Sequence, residues 1–287
     1  MSPNSIPSKI KSLLDLIRFD KPIGFALLVW PCWFSLASLP ISPLNNLKWY
    51  FFFLVGSFLM RSAGCIVNDL IDINIDKKIE RTSQRPLVIK SVKIYEAIIF
   101  LILLLILSLL VLIQFNLDSI IIGLLSIPLV ILYPYMKRFT YWPQLVLGII
   151  FNWGILIVSI QFNGYLSTSS IILYLGCIFW TLGYDTIYAY QDREDDIKNN
   201  IRSTAILFGD KGKKYVLLFY IIFLIILGYI GFKTSDSIAS IFVLILFLIA
   251  MGFFLNKWNL RSRSSSNNYF KLNNFFGLLC FIYLIIF

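Results

Sequence analysis

The sequence predicts an all-α membrane protein: a bundle of nine transmembrane helices with one amphipathic surface helix ahead of them. Three observations predict it. The chain of 287 residues is 59% hydrophobic and 17% aromatic but only 14% charged, with a mean hydropathy of +0.82, too apolar for a soluble domain. Its apolar residues fall into nine runs, each close to the roughly 20 residues that a helix needs to cross hydrocarbon. Basic residues then collect on alternate connections. With the N-terminus inside, 22 of the 25 Lys and Arg lie on the cytoplasmic side; only Lys48 and Lys233 lie opposite, and Arg61 lies within a span. That is the asymmetry of the positive-inside rule.

Taken in order, Ser8–Phe19 sets Ile10, Leu13, Leu14 and Ile17 on one side at helical spacing, which predicts a helix lying on the membrane surface. The spans follow at Pro22–Leu39, Trp49–Asp69, Tyr95–Phe115, Ser119–Tyr135 and Trp142–Phe162. The remainder are Ser170–Gln191, Lys214–Phe232, Ser237–Leu255 and Phe270–Phe287. No long polar linker divides them, so residues 1–287 read as a single intramembrane domain. The N-terminus lacks the charged-apolar-cleavage pattern of a signal peptide, so the first span is expected to be retained.

Composition also excludes chemistry. The chain has no histidine, which rules out a histidine general base, a Ser-His-Asp triad and imidazole metal ligands. Any metal must sit on oxygen, which suits Mg2+ or Ca2+. Cys32, Cys65, Cys177 and Cys280 stand singly within apolar runs and read as small core residues. The net charge of +10 is spread over short inter-span segments, a pattern for a membrane surface and anionic substrates rather than nucleic acid.

Two acidic clusters break the apolar pattern. In Arg61–Leu87 (RSAGCIVNDLIDINIDKKIERTSQRPL), Arg61, Cys65, Asn68, Asp72 and Asp76 share one helical stripe, with Asp69 beside them. Carboxylates crowded at a bilayer edge repel one another and resist desolvation. A divalent cation relieves both problems; the plain alternative is a solvated acidic loop. The second cluster, in YDTIYAYQDREDD, is expected to place Asp185, Ala189, Asp192 and Asp196 on a similar stripe. Asp192 and Asp196 follow Asp72 and Asp76 by 120 positions, and each cluster precedes an Arg-Ser/Thr-Ser/Thr triplet. A weak parallel repeat, spans one to four matching five to eight, brings both clusters to one face of the membrane.

Ionisable residues within spans are costly, so Arg61 and Asp185 are candidates for the cavity beneath the carboxylates. Arg81 and Arg85 bracket a short polar segment and suit a phosphate, or are ordinary positive-inside charges. Tyr133 and Lys137, four apart, could reach one oxyanion, and snorkelling explains Lys137 as well. Carboxylates, arginines and a lipid-open cavity together suit a polyanionic head on a lipid tail, its diphosphate bridged by magnesium.

These residues also carry a family resemblance. NDLIDINID resembles the NDxxDxxxD motif of the UbiA-type intramembrane prenyltransferases, and Asp192 with Asp196 resembles their second DxxxD motif. RFDKPIGFALLVWP, RTSQRPL, YPYMKRFTYWPQLVLG and STAILFG are similar to the branch that prenylates 4-hydroxybenzoate in ubiquinone synthesis. The resemblance implies a nine-helix bundle with a cytoplasmic or matrix-side active site open laterally to lipid. It implies that Asn68, Asp72, Asp76, Asp192 and Asp196 hold Mg2+ and, through it, a polyprenyl diphosphate, with Asp69 of the same motif as a further metal residue. Arg81, Arg85, Tyr133 and Lys137 match positions at the diphosphate, and Arg61 one at the benzoate carboxylate; Arg138, Asp185 and Lys21 are further implied substrate contacts. The implied reaction is Mg2+-dependent transfer of the prenyl group to the ring carbon ortho to the hydroxyl, with Asp72, Asp76, Asp192 and Asp196 as the catalytic carboxylates.

Competing readings are a sister enzyme using a naphthoate or a haem, an ion channel or transporter, and a membrane scaffold. A transport site belongs near the midplane on broken helices, whereas these clusters end spans beside arginines. With no Arg-rich, Ser-rich leader, a bacterial inner membrane is expected over a mitochondrial one.

Overall fold

The computed structural model describes residues 8–41, 46–235 and 237–287. A short helix, α1 (Ser8–Leu16), leads into α2 (Ile23–Ala37), α3 (Leu47–Asp76) and α4 (Ile94–Leu112). The fourth expected span is two helices, α5 (Leu117–Leu125) and α6 (Ile127–Phe139), and so is the fifth, α7 (Pro143–Phe151) and α8 (Gly154–Asn163). Then come α9 (Thr168–Ala189), the short α10 (Arg193–Lys198) and α11 (Thr204–Phe208), and the last spans α12 (Gly212–Ser235), α13 (Ile238–Lys257) and α14 (Arg263–Ile286). Among the described residues eight helical stretches are long and apolar enough to cross a membrane, and α2, at 15 residues, is a shorter apolar helix. Together they correspond to the nine spans expected. The protein is a multi-span membrane protein.

The packing is centred on α9, which lies against α12, α7, α14 and α8. Trp180 on α9 is fully buried and stacks on Phe223 of α12 at 5.5 Å between ring centroids, with Phe34 of α2 and Phe276 of α14 around it. A second core joins α1, α3 and α4 through Leu16, Leu59, Ile66 and Ala97. Here α1 differs from a helix that merely floats on lipid. Leu16 and Ile17 are buried against the protein while Ile10 stays exposed, and Lys9 pairs with Glu96 at the start of α4.

At both helix breaks a side chain donates to a backbone carbonyl, where hydrocarbon offers no water, while the buried Asn152 Oδ1 at the second has no hydrogen-bond partner among the described residues. Pro128 in the first turn of α6 has no N–H to continue α5. Trp153 Nε1 donates to the Ile122 carbonyl at 2.8 Å, beside the break at Ser126. At the second break Asn152 Nδ2 donates to the Gly148 carbonyl at 2.6 Å and to Thr181 Oγ1 at 3.0 Å. The side chain thus competes for a carbonyl of its own helix.

Candidate active site

The first acidic cluster rides on one unbroken helix. At 30 residues, α3 is longer than hydrocarbon requires: about 45 Å at 1.5 Å per residue, against a core of roughly 30 Å. Its final turns therefore carry Asn68, Asp69, Asp72 and Asp76 to the rim. The three carboxylates are buried, and each is matched by a cation. Asp76 Oδ2 accepts from Arg85 Nη1 at 2.6 Å, and the same nitrogen donates to Asp69 Oδ1 at 2.9 Å. Asp72 pairs with Lys137 and, at 3.4 Å, with Arg138. Asp69 Oδ1 also accepts from Arg18 Nη2 at 2.5 Å, while its Oδ2 is buried without a hydrogen-bond partner among the described residues. Arg18 reaches it from a left-handed backbone (φ 56°), the bend that ends α1 and a conformation uncommon for a residue with a Cβ.

The second cluster is not the continuous stripe expected. The helix ends at Ala189, Asp192 occupies the cap position before α10, and Asp196 lies on α10 itself. No proline or glycine marks this break in the sequence. Arg81 crosses from the first cluster's loop to grip Asp192 in bidentate fashion, Nε to Oδ1 at 2.8 Å and Nη2 to Oδ2 at 2.5 Å, with its guanidinium 5.1 Å from the Tyr188 ring centre. The two clusters therefore meet at one rim. Asp196 makes no side-chain hydrogen bond among the described residues, and burial followed by the neighbouring Asp192 charge pushes its carboxyl up to about 7.

Both clusters close the head of one cavity of about 1610 Å³, larger than the roughly 300–1,000 Å³ of ordinary small-molecule pockets. Lys21, Arg61, Asn68, Asp76, Arg81, Arg85, Tyr133, Lys137, Asp185, Asp192 and Asp196 line it; Asp69, Asp72 and Arg138 are not part of that lining. Deeper in, Arg61 lies 5.7 Å from the Phe151 ring centre and close above Gly24, where an added Cβ would come within 2.7 Å of its Nε. Beyond it the wall turns apolar: Leu105, Leu109 and Leu112 from α4, Leu124 and Ile127 from the fourth span, and Phe115 at its far end. Because α4 packs chiefly on α3, this arm runs down the lipid-facing side of the bundle.

Sequence reasoning left Arg18 without a role, counting it only as a positive-inside charge, although it stands in the RFDKPIG block. Its signal was there: a charge placed between two helical patterns. The second triplet has a further task, since the Arg202 N–H donates to the Lys137 carbonyl at 2.9 Å and its Nη1 to the Phe139 carbonyl at 2.5 Å. Those bonds fix the end of α6 from which Lys137 projects.

The donor set fits magnesium in one particular way. Among the described residues no group of three carboxylates stands close enough to form a cage of its own. Asn68 and Asp196, one from each cluster, face the cavity with side-chain oxygens that accept no hydrogen bond among the described residues. Magnesium characteristically takes one or two carboxylates, keeps waters and shares substrate phosphates rather than filling an all-protein cage. Hard oxygen donors interleaved with guanidinium groups suit that mode.

Residues 28–279 match the UbiA prenyltransferase family. The mitochondrial 4-hydroxybenzoate polyprenyltransferase of Caenorhabditis elegans is 40% identical over 279 residues, 96% of this chain and 78% of that protein. The 4-hydroxybenzoate octaprenyltransferase of Pseudomonas syringae pv. tomato is 36% identical over 284 residues, 98% of this chain and 95% of that one. Among solved structures, a UbiA homolog from Aeropyrum pernix K1 shares the fold with a TM-score of 0.71 at 21% identity, covering 91% of this chain and 97% of that one. A UbiA homolog from Archaeoglobus fulgidus bound to GPP and Mg2+ does so with a TM-score of 0.67 at 18% identity, over 96% and 100%.

Proposed function

Because this chain belongs to the UbiA prenyltransferase family, we propose that it transfers a polyprenyl group from its diphosphate to the ring carbon ortho to the hydroxyl of 4-hydroxybenzoate, in ubiquinone biosynthesis. One observation carries the reading: carboxylates and cations alternate around the cavity head as Arg85–Asp76, Lys137–Asp72 and Arg81–Asp192. Such a lattice could receive a diphosphate and its metal without a buried charge left unpaired: Arg85, Lys137 and Arg81 would take phosphate oxygens, and Asp76, Asp72 and Asp192 would hold the ion.

Asn68, Asp72, Asp76, Asp192 and Asp196 are the residues we assign to Mg2+, and Asp69 is assigned to holding Arg18 and Arg85. When bound, the ion supplies Lewis-acid stabilisation of charge on the departing diphosphate. Arg81, Arg85 and Lys137 supply fixed positive charge at the same leaving group, with Tyr133 beside them. As the allylic C–O bond breaks, its electron pair leaves with the diphosphate. The cation forms where Phe151, Leu147 and their neighbours exclude water. Arg61 holds the acceptor's carboxylate, helped by Lys21 and by Asp185 in the same lining, while Arg138 acts through its pair with Asp72. The ring carbon ortho to the phenol is electron-rich and attacks, forming the C–C bond, and transfer of the ring proton to the departed diphosphate or a nearby base restores aromaticity.

For the compartment we propose a bacterial inner membrane with the site facing the cytoplasm, an orientation supported by the basic connections around the cavity head. The mitochondrial inner membrane is the second reading, since relatives named as mitochondrial match as well. The decisive experiment is mass spectrometry of the product made from 4-hydroxybenzoate and a prenyl diphosphate, with and without Mg2+. A C-prenylated acid that forms only with Mg2+ is expected. Product from a naphthoate but not from 4-hydroxybenzoate would assign the chain to a sister activity.

A further inference from the structure

Arg263, the first residue of α14, lies outside the cavity lining, yet its guanidinium contacts an acidic residue beside each cluster. Nη1 donates to Glu80 Oε2 at 2.6 Å and Nη2 donates to Asp195 Oδ2 at 3.0 Å. Glu80 immediately precedes Arg81, and Asp195 immediately precedes Asp196. A single side chain thus ties the connection after α3 to α10 from a third element. The gap it spans is also bridged by Arg81 and Asp192. The two bridges differ in one respect. Arg81 and Asp192 belong to the lattice that must open when diphosphate and metal enter, whereas Glu80 and Asp195 have no place in the proposed ligand set.

We propose that Arg263 is a positioning residue, a latch that keeps the two halves of the cation site at binding distance while the Arg81–Asp192 pair is exchanged for substrate. The inference rests on the metal–diphosphate reading above and deepens it. Without the latch, entry of the ligand would dissolve the remaining cross-link just as the halves need to stay together. The rest of α14 is suited to the task. Trp180 Nε1 and the Tyr220 hydroxyl both donate to Asn273 Oδ1, at 3.2 and 2.8 Å, which pins the helix two to three turns below Arg263 to the central core. The latch is also open to water: the Arg263 side chain is 40% exposed and Glu80 81%, against 13% for Asp195. Salt must therefore weaken it, and the Glu80 arm more than the Asp195 arm.

The test uses the full chain in lipid nanodiscs with Mg2+ and pyrophosphate as probes. Two quantities are measured: the Mg2+ concentration giving half of the pyrophosphate-dependent rise in melting temperature, and the Mg2+ dependence of turnover. Arg263→Gln is expected to raise both Mg2+ midpoints by roughly three- to tenfold, the loss of two partly exposed pairs, with kcat at saturating Mg2+ within about twofold of the parent. Arg263→Lys should recover part of the shift, and Glu80→Gln should reproduce a smaller one, which keeps the question answerable if Arg263→Gln folds poorly. Raising NaCl should move the parent's midpoint more than that of Arg263→Gln. Unchanged midpoints, or a fall in kcat without a midpoint shift, overturn the latch alone. No Mg2+-dependent rise in the unmodified protein overturns the metal site and the latch with it.

Discussion

Asp76 and Asp192 each face an arginine at 2.5 to 2.6 Å, and at the scale of single residues the site is a set of such exchanges waiting for a ligand. Asp72→Ala or Asp192→Ala should lower turnover by on the order of 10²-fold or more, the scale on which a preorganised charge contributes to catalysis. Each variant should still insert and fold, as checked by size-exclusion chromatography. Normal activity in either would remove the metal assignment. Asp196 carries a different prediction, because its carboxyl is pushed up to about 7 by burial and by Asp192. The folded state holds that proton more tightly than the unfolded chain, so its contribution favours folding at low pH and is lost as pH rises through about 7. In Mg2+-free buffer Asp196→Asn should therefore melt higher than the parent at pH 8, with the difference closing towards pH 5. Gly24 tests the acceptor end. An alanine Cβ there would meet Arg61 Nε at 2.7 Å, and the flexible guanidinium, not the helix, would move aside. Gly24→Ala should raise the KM for 4-hydroxybenzoate roughly tenfold with KM for the prenyl diphosphate unchanged, as expected when a positioning group is displaced by about 1 Å.

At the scale of elements, hydropathy marked every span because the bilayer demands length and apolarity whatever the packing. It could not mark the breaks. The residues around Ser126 and Asn152 are as apolar as those within any helix here, and only Pro128 hinted at the first interruption. The carboxylates were legible for the opposite reason: an ionisable group in an apolar run stands out at once. Their partners were not. That Arg81 answers to Asp192, and Arg18 to Asp69, is fixed by tertiary approach across 111 and 51 positions respectively. The broken spans are themselves testable. Replacing Trp153 by Phe removes the donor that the Ile122 carbonyl uses and should destabilise the protein by about 1–3 kcal/mol, read as a lower melting temperature in detergent, with the Mg2+ midpoint unmoved.

The whole molecule joins two solvents. Its charged head lies at the rim, while the cavity continues along α4 as far as Phe115. Gly123 lines this arm, and a Cβ there would come within 2.9 Å of Leu112 Cδ1. A bulky side chain would therefore plug it. Gly123→Phe should leave transfer from a ten-carbon prenyl diphosphate within about threefold of the parent, while transfer from a forty-carbon donor falls by roughly tenfold or more, since remote binding contacts contribute to turnover. Equal losses for both donors would show that the tail does not take this route.

The arm that follows α4 is flanked by Leu105, Leu109 and Leu112 on one hand and by Leu124 and Ile127 on the other, and it reaches Phe115. A pocket with an end measures what is put into it. On the proposed reading, each isoprene unit that fits between the rim and that ring is gripped by side chains, so lengthening the donor should lower its KM until the ring is reached and not beyond.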